Sequence, residues 1–196
     1  MASDRTTPNM AAPDRPDLVR PMIPPPISLL RDPLAYIAAE HGGQRALCNL
    51  MENVASDPGF DRDAARAILR YLGRDFSRHV HDEENDLFPL LRKRCLPEDE
   101  IEMVLARLNA EHKDEHRLAG DLESQLKELL DRDVSTLDAA FRERLFQYAR
   151  ALRRHLALEN SVILPLARAR LTPDDMVALS AAMRERIGAR ADATRR

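Results

Sequence analysis

The sequence predicts an all-α fold: an up-down-up-down bundle of four helices, a fifth helix at the C-terminal end and a disordered proline-rich leader. Three observations carry this. The vocabulary leans on Ala, Leu, Arg and Glu, with six Gly and no Trp, a set that favours helix over strand. Apolar residues recur in long rows at helical spacing. Cap and proline signals divide the chain into long segments joined by short connections, which suits antiparallel neighbours. At 196 residues the chain reads as one domain that can bury a core without disulfides.

The elements follow in order. Eight of the thirteen prolines lie within the first thirty-three residues, including Pro24-Pro25-Pro26. Proline fixes φ and removes a donor, so residues 1–32 read as extended or disordered. Composition favours a solvated leader, with docking of a protein partner as the alternative. Asp32-Pro33 reads as an N-cap and first helical residue, opening a helix to about residue 54 that ends at the turn Ser56-Asp57-Pro58-Gly59. A second helix spans about 61–94. Leu96-Pro97-Glu98-Asp99-Glu100 starts a third, with acids favouring its dipole, running to about residue 130. Ser135-x-x-Asp138 resembles a capping box for the fourth, which ends near Arg170. Thr172-Pro173 opens the fifth, where Met176, Leu179, Met183 and Ile187 keep helical spacing. The division is therefore a leader (1–32), a bundle (33–170) and a C-terminal helix (171–196).

A formal charge of −3 gives no electrostatic case for nucleic acid or an anionic membrane. No apolar run approaches the ~18 residues of a membrane span. Cys48 and Cys95 form no C-x-x-C pair, which fits a reducing compartment. The expectation is a cytoplasmic protein with neither partner.

The apolar rows are interrupted by His41, His79, Glu83, His112, His116, His155 and Glu159. Burying unpaired imidazoles and carboxylates costs several kcal/mol each, and a metal is the partner able to satisfy so many at once. His79/Glu83, His112/His116 and His155/Glu159 are i, i+4 pairs, which share a helix face. A lone core histidine such as His41 is ordinarily structural; three pairs on inward rows at similar depth are a metal site. His81 lies roughly 200° round the helix from His79, on a solvated row, and is left out. Glu84 borders the core row and reads as a surface carboxylate, with support of a neighbouring ligand as the alternative. The sequence also repeats: Arg78-His79 aligns with Arg154-His155, Glu83 with Glu159 and Pro89 with Pro165, and Ala39-Glu40-His41 recurs as Ala110-Glu111-His112. Two helical hairpins related by a pseudo-twofold would bring two His-His-Glu clusters face to face, with a carboxylate from each half free to bridge two ions.

Imidazole and carboxylate without thiolate suit iron, manganese or zinc, and a carboxylate-bridged pair in a bundle favours iron. Ferritin-like proteins use Glu-x-x-His, which this chain lacks. His41, His79-x3-Glu83 followed by Leu87-Phe88-Pro89, His112-x3-His116 and His155-x3-Glu159 resemble the hemerythrin family in its bacterial hemerythrin-like cation-binding (HHE) form, over about residues 33–170. The resemblance implies two non-haem iron ions bridged by Glu83, Glu159 and an oxo or hydroxo group. It also implies that His112, His116 and His155 hold one iron, and that His41 and His79 hold the other, which keeps an open position for dioxygen, nitric oxide or peroxide. His155-x3-Glu159 replaces the His-x4-Asp of oxygen-carrying hemerythrins and is similar instead to di-iron proteins of iron–sulfur cluster repair. Those proteins carry an N-terminal cysteine, which residues 1–32 lack.

The expectation is thus a di-iron protein that binds or senses a small diatomic gas or peroxide, in oxidative or nitrosative stress, with iron storage or delivery for cluster repair as the alternative. No catalytic residue is assigned, and turnover is left open. Gly42-Gly43, unusual inside a helix, reads either as a thin wall admitting a small ligand or as close helix packing. Tyr148, two turns before His155, reads as core.

Overall fold

The computed structural model describes residues 24–193, with side chains through residue 188. Five helices follow one another: α1 (Pro33–Ser56), α2 (residues 62–94), α3 (Ile101–Asp131), α4 (residues 139–170) and α5 (Pro173–Ala193). α1 packs along α4, and α3 packs against both α2 and α4, the antiparallel four-helix bundle that the sequence predicts. None of the described helices is long and apolar enough to cross a membrane.

The helix ends are set by short polar side chains that satisfy otherwise orphaned N–H groups. Asp32 accepts from Ala35 N, Asp61 from Asp63 N and Ala64 N, and Asp138 from Phe141 N. The fourth cap is therefore Asp138 rather than Ser135, whose carbonyl instead accepts from Phe60 N. Pro97 does not open α3: Pro97–Asp99 form a separate 3-10 turn, and Glu100, at φ 48°, breaks it off before Ile101. Of the leader, residues 1–23 lie outside the described residues. Its end departs from the expected disorder, because Ile27–Arg31 form a 3-10 turn that buries Leu30 completely, and Ser180 of α5 donates to the Leu30 carbonyl.

Both α2 and α4 carry a π turn at the same place. In α2 it spans Asp82–Leu87, and Phe88 N donates to Glu83 O; in α4 it spans Glu159–Ile163, and Leu164 N donates to Glu159 O. Pro89 and Pro165 follow directly. They do not end their helices, which run on to Arg94 and Arg170, because the wider turn relieves the clash between the proline ring and the carbonyl four residues back. A further π turn, Tyr71–Asp75, lies in α2 alone.

Two hydrophobic clusters form the core. One groups Leu47, Met51, Ile68, Phe76, Leu122, Phe141 and Leu152; the other groups Leu30, Ile37, Phe88, Leu105, Ile163, Leu179 and Met183. A layer of buried charged side chains lies in the sequence interval between them on every bundle helix.

Candidate metal centre

That layer is built from His41 on α1, His79 and Glu83 on α2, His112 on α3, and His155 and Glu159 on α4, none more than 3% exposed. They fall into two groups, His41, His79, Glu83 and Glu159, and Glu83, His112, His155 and Glu159. Within each group, one potential ligand atom per residue lies within 4.8 Å of all the others. Both carboxylates belong to both groups. Glu83 turns Oε1 to His41 and His79, at 3.6 and 3.5 Å from their Nε2 atoms, and Oε2 to His112 Nε2 at 3.4 Å. Glu159 turns Oε2 to His41 Nε2 at 3.4 Å and Oε1 to His155 Nε2 at 3.0 Å.

The outer nitrogens of three histidines face carboxylates: His79 Nδ1 to Glu40 at 3.3 Å, His112 Nδ1 to Glu84 at 2.9 Å, and His155 Nδ1 to Glu111 at 3.1 Å. A carboxylate accepts, so each Nδ1 donates its proton outward, and a neutral ring then presents the Nε2 lone pair to the centre. This is how metal-bound histidines are commonly oriented. The Nε2 atoms of His112 and His155 stand 3.1 Å apart, a separation at which two lone pairs repel unless a proton or a cation lies between them. All four oxygens of Glu83 and Glu159 and both nitrogens of His41 lack a well-aligned hydrogen-bond partner. Buried polar groups rarely stay orphaned, and a cation answers the four carboxylate oxygens and the inward Nε2 of His41 together.

Without a cation, protons take its place. Burial opposes charge on His79, but Glu83, Glu40 and Glu159 outweigh it and hold the ring at about 9. Burial likewise opposes charge on His155, and Glu159, Glu115 and Glu83 raise it to about 10. His112 is raised against the same burial by the Glu83 carboxylate beside its Nε2. Glu83 is held well below the carboxylate range although burial opposes this, because His79, His112 and His41 surround it.

Six of the seven residues chosen from sequence meet here, and His116 does not. It is exposed, its Nδ1 bonds the His112 carbonyl at 3.0 Å, and its ring lies against Phe76. The buried row of α3 steps 105, 108, 112, 115, 119, 122, 126, alternating threes and fours, so Glu115 holds the inward place after His112. That alternation was visible in the sequence. Glu84 remains about a third exposed yet also accepts from His112 Nδ1, so it is more than a surface carboxylate. Glu40 and Glu111 were also overlooked, although both precede a histidine in the repeated Ala-Glu-His, and each serves the histidine of the neighbouring helix. His81 is exposed as expected.

The fold and these side chains define a class: a four-helix bundle with a buried histidine–carboxylate site for cations. Residues 32–167 match the hemerythrin HHE cation-binding domain, and the chain belongs to the hemerythrin family. No curated protein matches the chain.

Proposed function

We propose that the centre holds two iron ions, His41 and His79 serving one, His112 and His155 the other, with Glu83 and Glu159 bridging, and that it binds or senses a small molecule such as dioxygen, nitric oxide or peroxide under oxidative or nitrosative stress. The observation that carries this reading is the division of each carboxylate, one oxygen toward each histidine pair. Donors of this kind suit iron, and the ion pair would supply redox chemistry toward a bound small molecule. Two histidines and two shared carboxylates leave each ion short of six ligands, which is room for an exogenous molecule. Free thiols at Cys48 and Cys95 agree with a cytoplasmic setting. Iron delivery to damaged clusters is the alternative, and complete burial of the ligands disfavours it, because release needs the bundle to open.

Metal content per chain tests the reading. The wild-type chain is expected to hold about two irons, and Glu83→Ala and Glu159→Ala distinctly less. If both variants hold as much iron as wild type, the bridging assignment is wrong. An optical change on adding nitric oxide or peroxide supports binding or sensing, whereas transfer of iron to a metal-free acceptor supports delivery.

A further inference from the structure

One to two turns from the proposed ligands, toward the first hydrophobic cluster, each bundle helix places another polar side chain in the interior: Gln44, Tyr71, Glu115 and Tyr148, all at most 7% exposed. Each has a buried atom without a hydrogen-bond partner, namely Gln44 Oε1, Tyr71 Oη, Glu115 Oε2 and Tyr148 Oη. They follow the pseudo-twofold. Gln44 and Glu115 each stand three residues after the α1 or α3 histidine. Tyr148 stands seven residues before His155, on the same face of a regular helix. Tyr71 stands eight before His79, about 80° out of line in a regular helix, and the π turn Tyr71–Asp75 lessens the rotation per residue and swings it toward the His79 row.

Gln44, Tyr71 and His79 also line one cavity, with Gly43 and Arg78 beside them and Pro24 and Pro25 as its outer wall. Its volume is about 30 Å³, above the ~10–15 Å³ that one water needs. A Cβ on Gly42, the chain neighbour of Gly43, would meet nothing within 4 Å, so close helix packing does not explain that glycine.

We propose that this cavity and the polar layer behind it form a binding and access site for a small protic molecule of the hydrogen peroxide class, next to the His41–His79 end of the centre. The claim rests on the reading under Proposed function and narrows its ligand. Gln44 Oε1 accepts only, and each tyrosine hydroxyl both accepts and donates. A molecule that satisfies Gln44 Oε1 must itself donate a hydrogen bond, and the Tyr71 hydroxyl can then donate to it or accept from it. Hydrogen peroxide donates two and fits a space of one or two waters; dioxygen and nitric oxide donate none. Gln44 Oε1 and Tyr71 Oη, the two orphaned atoms whose residues line the cavity, are costly when dry and are accounted for by such an occupant, with water in its place at rest.

Stopped-flow mixing of the iron-loaded full chain with hydrogen peroxide, and separately with nitric oxide, tests the site in wild type and in Gln44→Leu/Tyr71→Phe. The expected result is a peroxide rate at least tenfold lower, with iron content and the nitric oxide rate unchanged. An unaltered peroxide rate, or equal slowing of both, overturns the proposal. A wild-type iron-loaded chain that reacts with neither molecule sinks the underlying reading instead. A second measurement needs no iron: Tyr71→Phe removes one hydroxyl, and if that group is hydrogen-bonded to an occupant the midpoint of thermal unfolding of the metal-free chain falls by about 2–4 °C. A midpoint unchanged or raised shows an empty site and overturns the proposal.

Discussion

Glu83 and Glu159 are fully buried, and what neutralises them changes with pH. In the metal-free chain the partners are imidazolium rings, with His79 at about 9 and His155 at about 10 against an ordinary 6.5. A raised histidine pKa stabilises the fold fully below 6.5, and that contribution is lost as pH rises through 9 to 10. A cation requires the same nitrogens deprotonated, so it competes with protons across this range. Adding iron(II) anaerobically at pH 7 should therefore release protons, and apparent affinity should climb with pH up to about 9–10. In parallel, the thermal midpoint of the metal-free chain should fall between pH 7 and 10 while that of the loaded chain holds. Affinity that is flat from pH 6 to 9 would contradict the protonated cluster. Cys48 takes no part in this chemistry: burial pushes its thiol up to about 12, which leaves no thiolate for redox reaction near neutral pH.

At the scale of the element, helix type and order were legible because caps and periodicity are local signals. Asp32-Pro33 and Thr172-Pro173 start helices where the sequence places them. The π turns were not legible. Nothing in Tyr71-Leu72-Gly73-Arg74-Asp75 announces one, and a strict 3.6-residue count puts Tyr71 off the ligand face, which is why Tyr148 was noticed and its counterpart was not. His79/Glu83 and His155/Glu159 each keep one inward face because they sit at or just before the π turns, where regular spacing still holds. His116 lies outside the cluster because the three-and-four step of its row puts Glu115, one position earlier, on the inward face. Gly42 gives an element-scale test. Its missing Cβ would meet nothing within 4 Å, so Gly42→Ala should gain helix propensity of about 1 kcal/mol and raise the thermal midpoint by about 2–4 °C. A lower midpoint in circular dichroism melts would mean that another chain element needs the space.

On the scale of the whole molecule, the charged layer interrupts what would otherwise be one continuous core, and each hydrophobic cluster is closed off differently. The first is shut by loops: Phe60 N donates to Ser135 O, and Leu137 N to Pro58 O. The second is shut by α5 and by the Ile27–Arg31 turn, which the sequence assigned to a leader and an appendage. Leu179 and Met183 of α5 are at most 1% exposed and belong to this cluster with Leu30 and Phe88. Phe88 in turn lies parallel to the His112 ring with centroids 6.1 Å apart. α5 is also tied by charge, Arg94 to Asp175 at 2.7 Å and Arg186 to Asp82 and Asp86. A helix so attached is part of the core. Met183→Ala should therefore cost about 2–5 kcal/mol, as large-to-small changes do in tightly packed interiors, with a clear fall in denaturant midpoint. The loss should appear in the metal-free chain and persist in the loaded one, because Met183 contacts the hydrophobic cluster and contributes nothing to the ligand set. A change below about 0.5 kcal/mol, the range of surface substitutions, would show that α5 merely decorates the bundle.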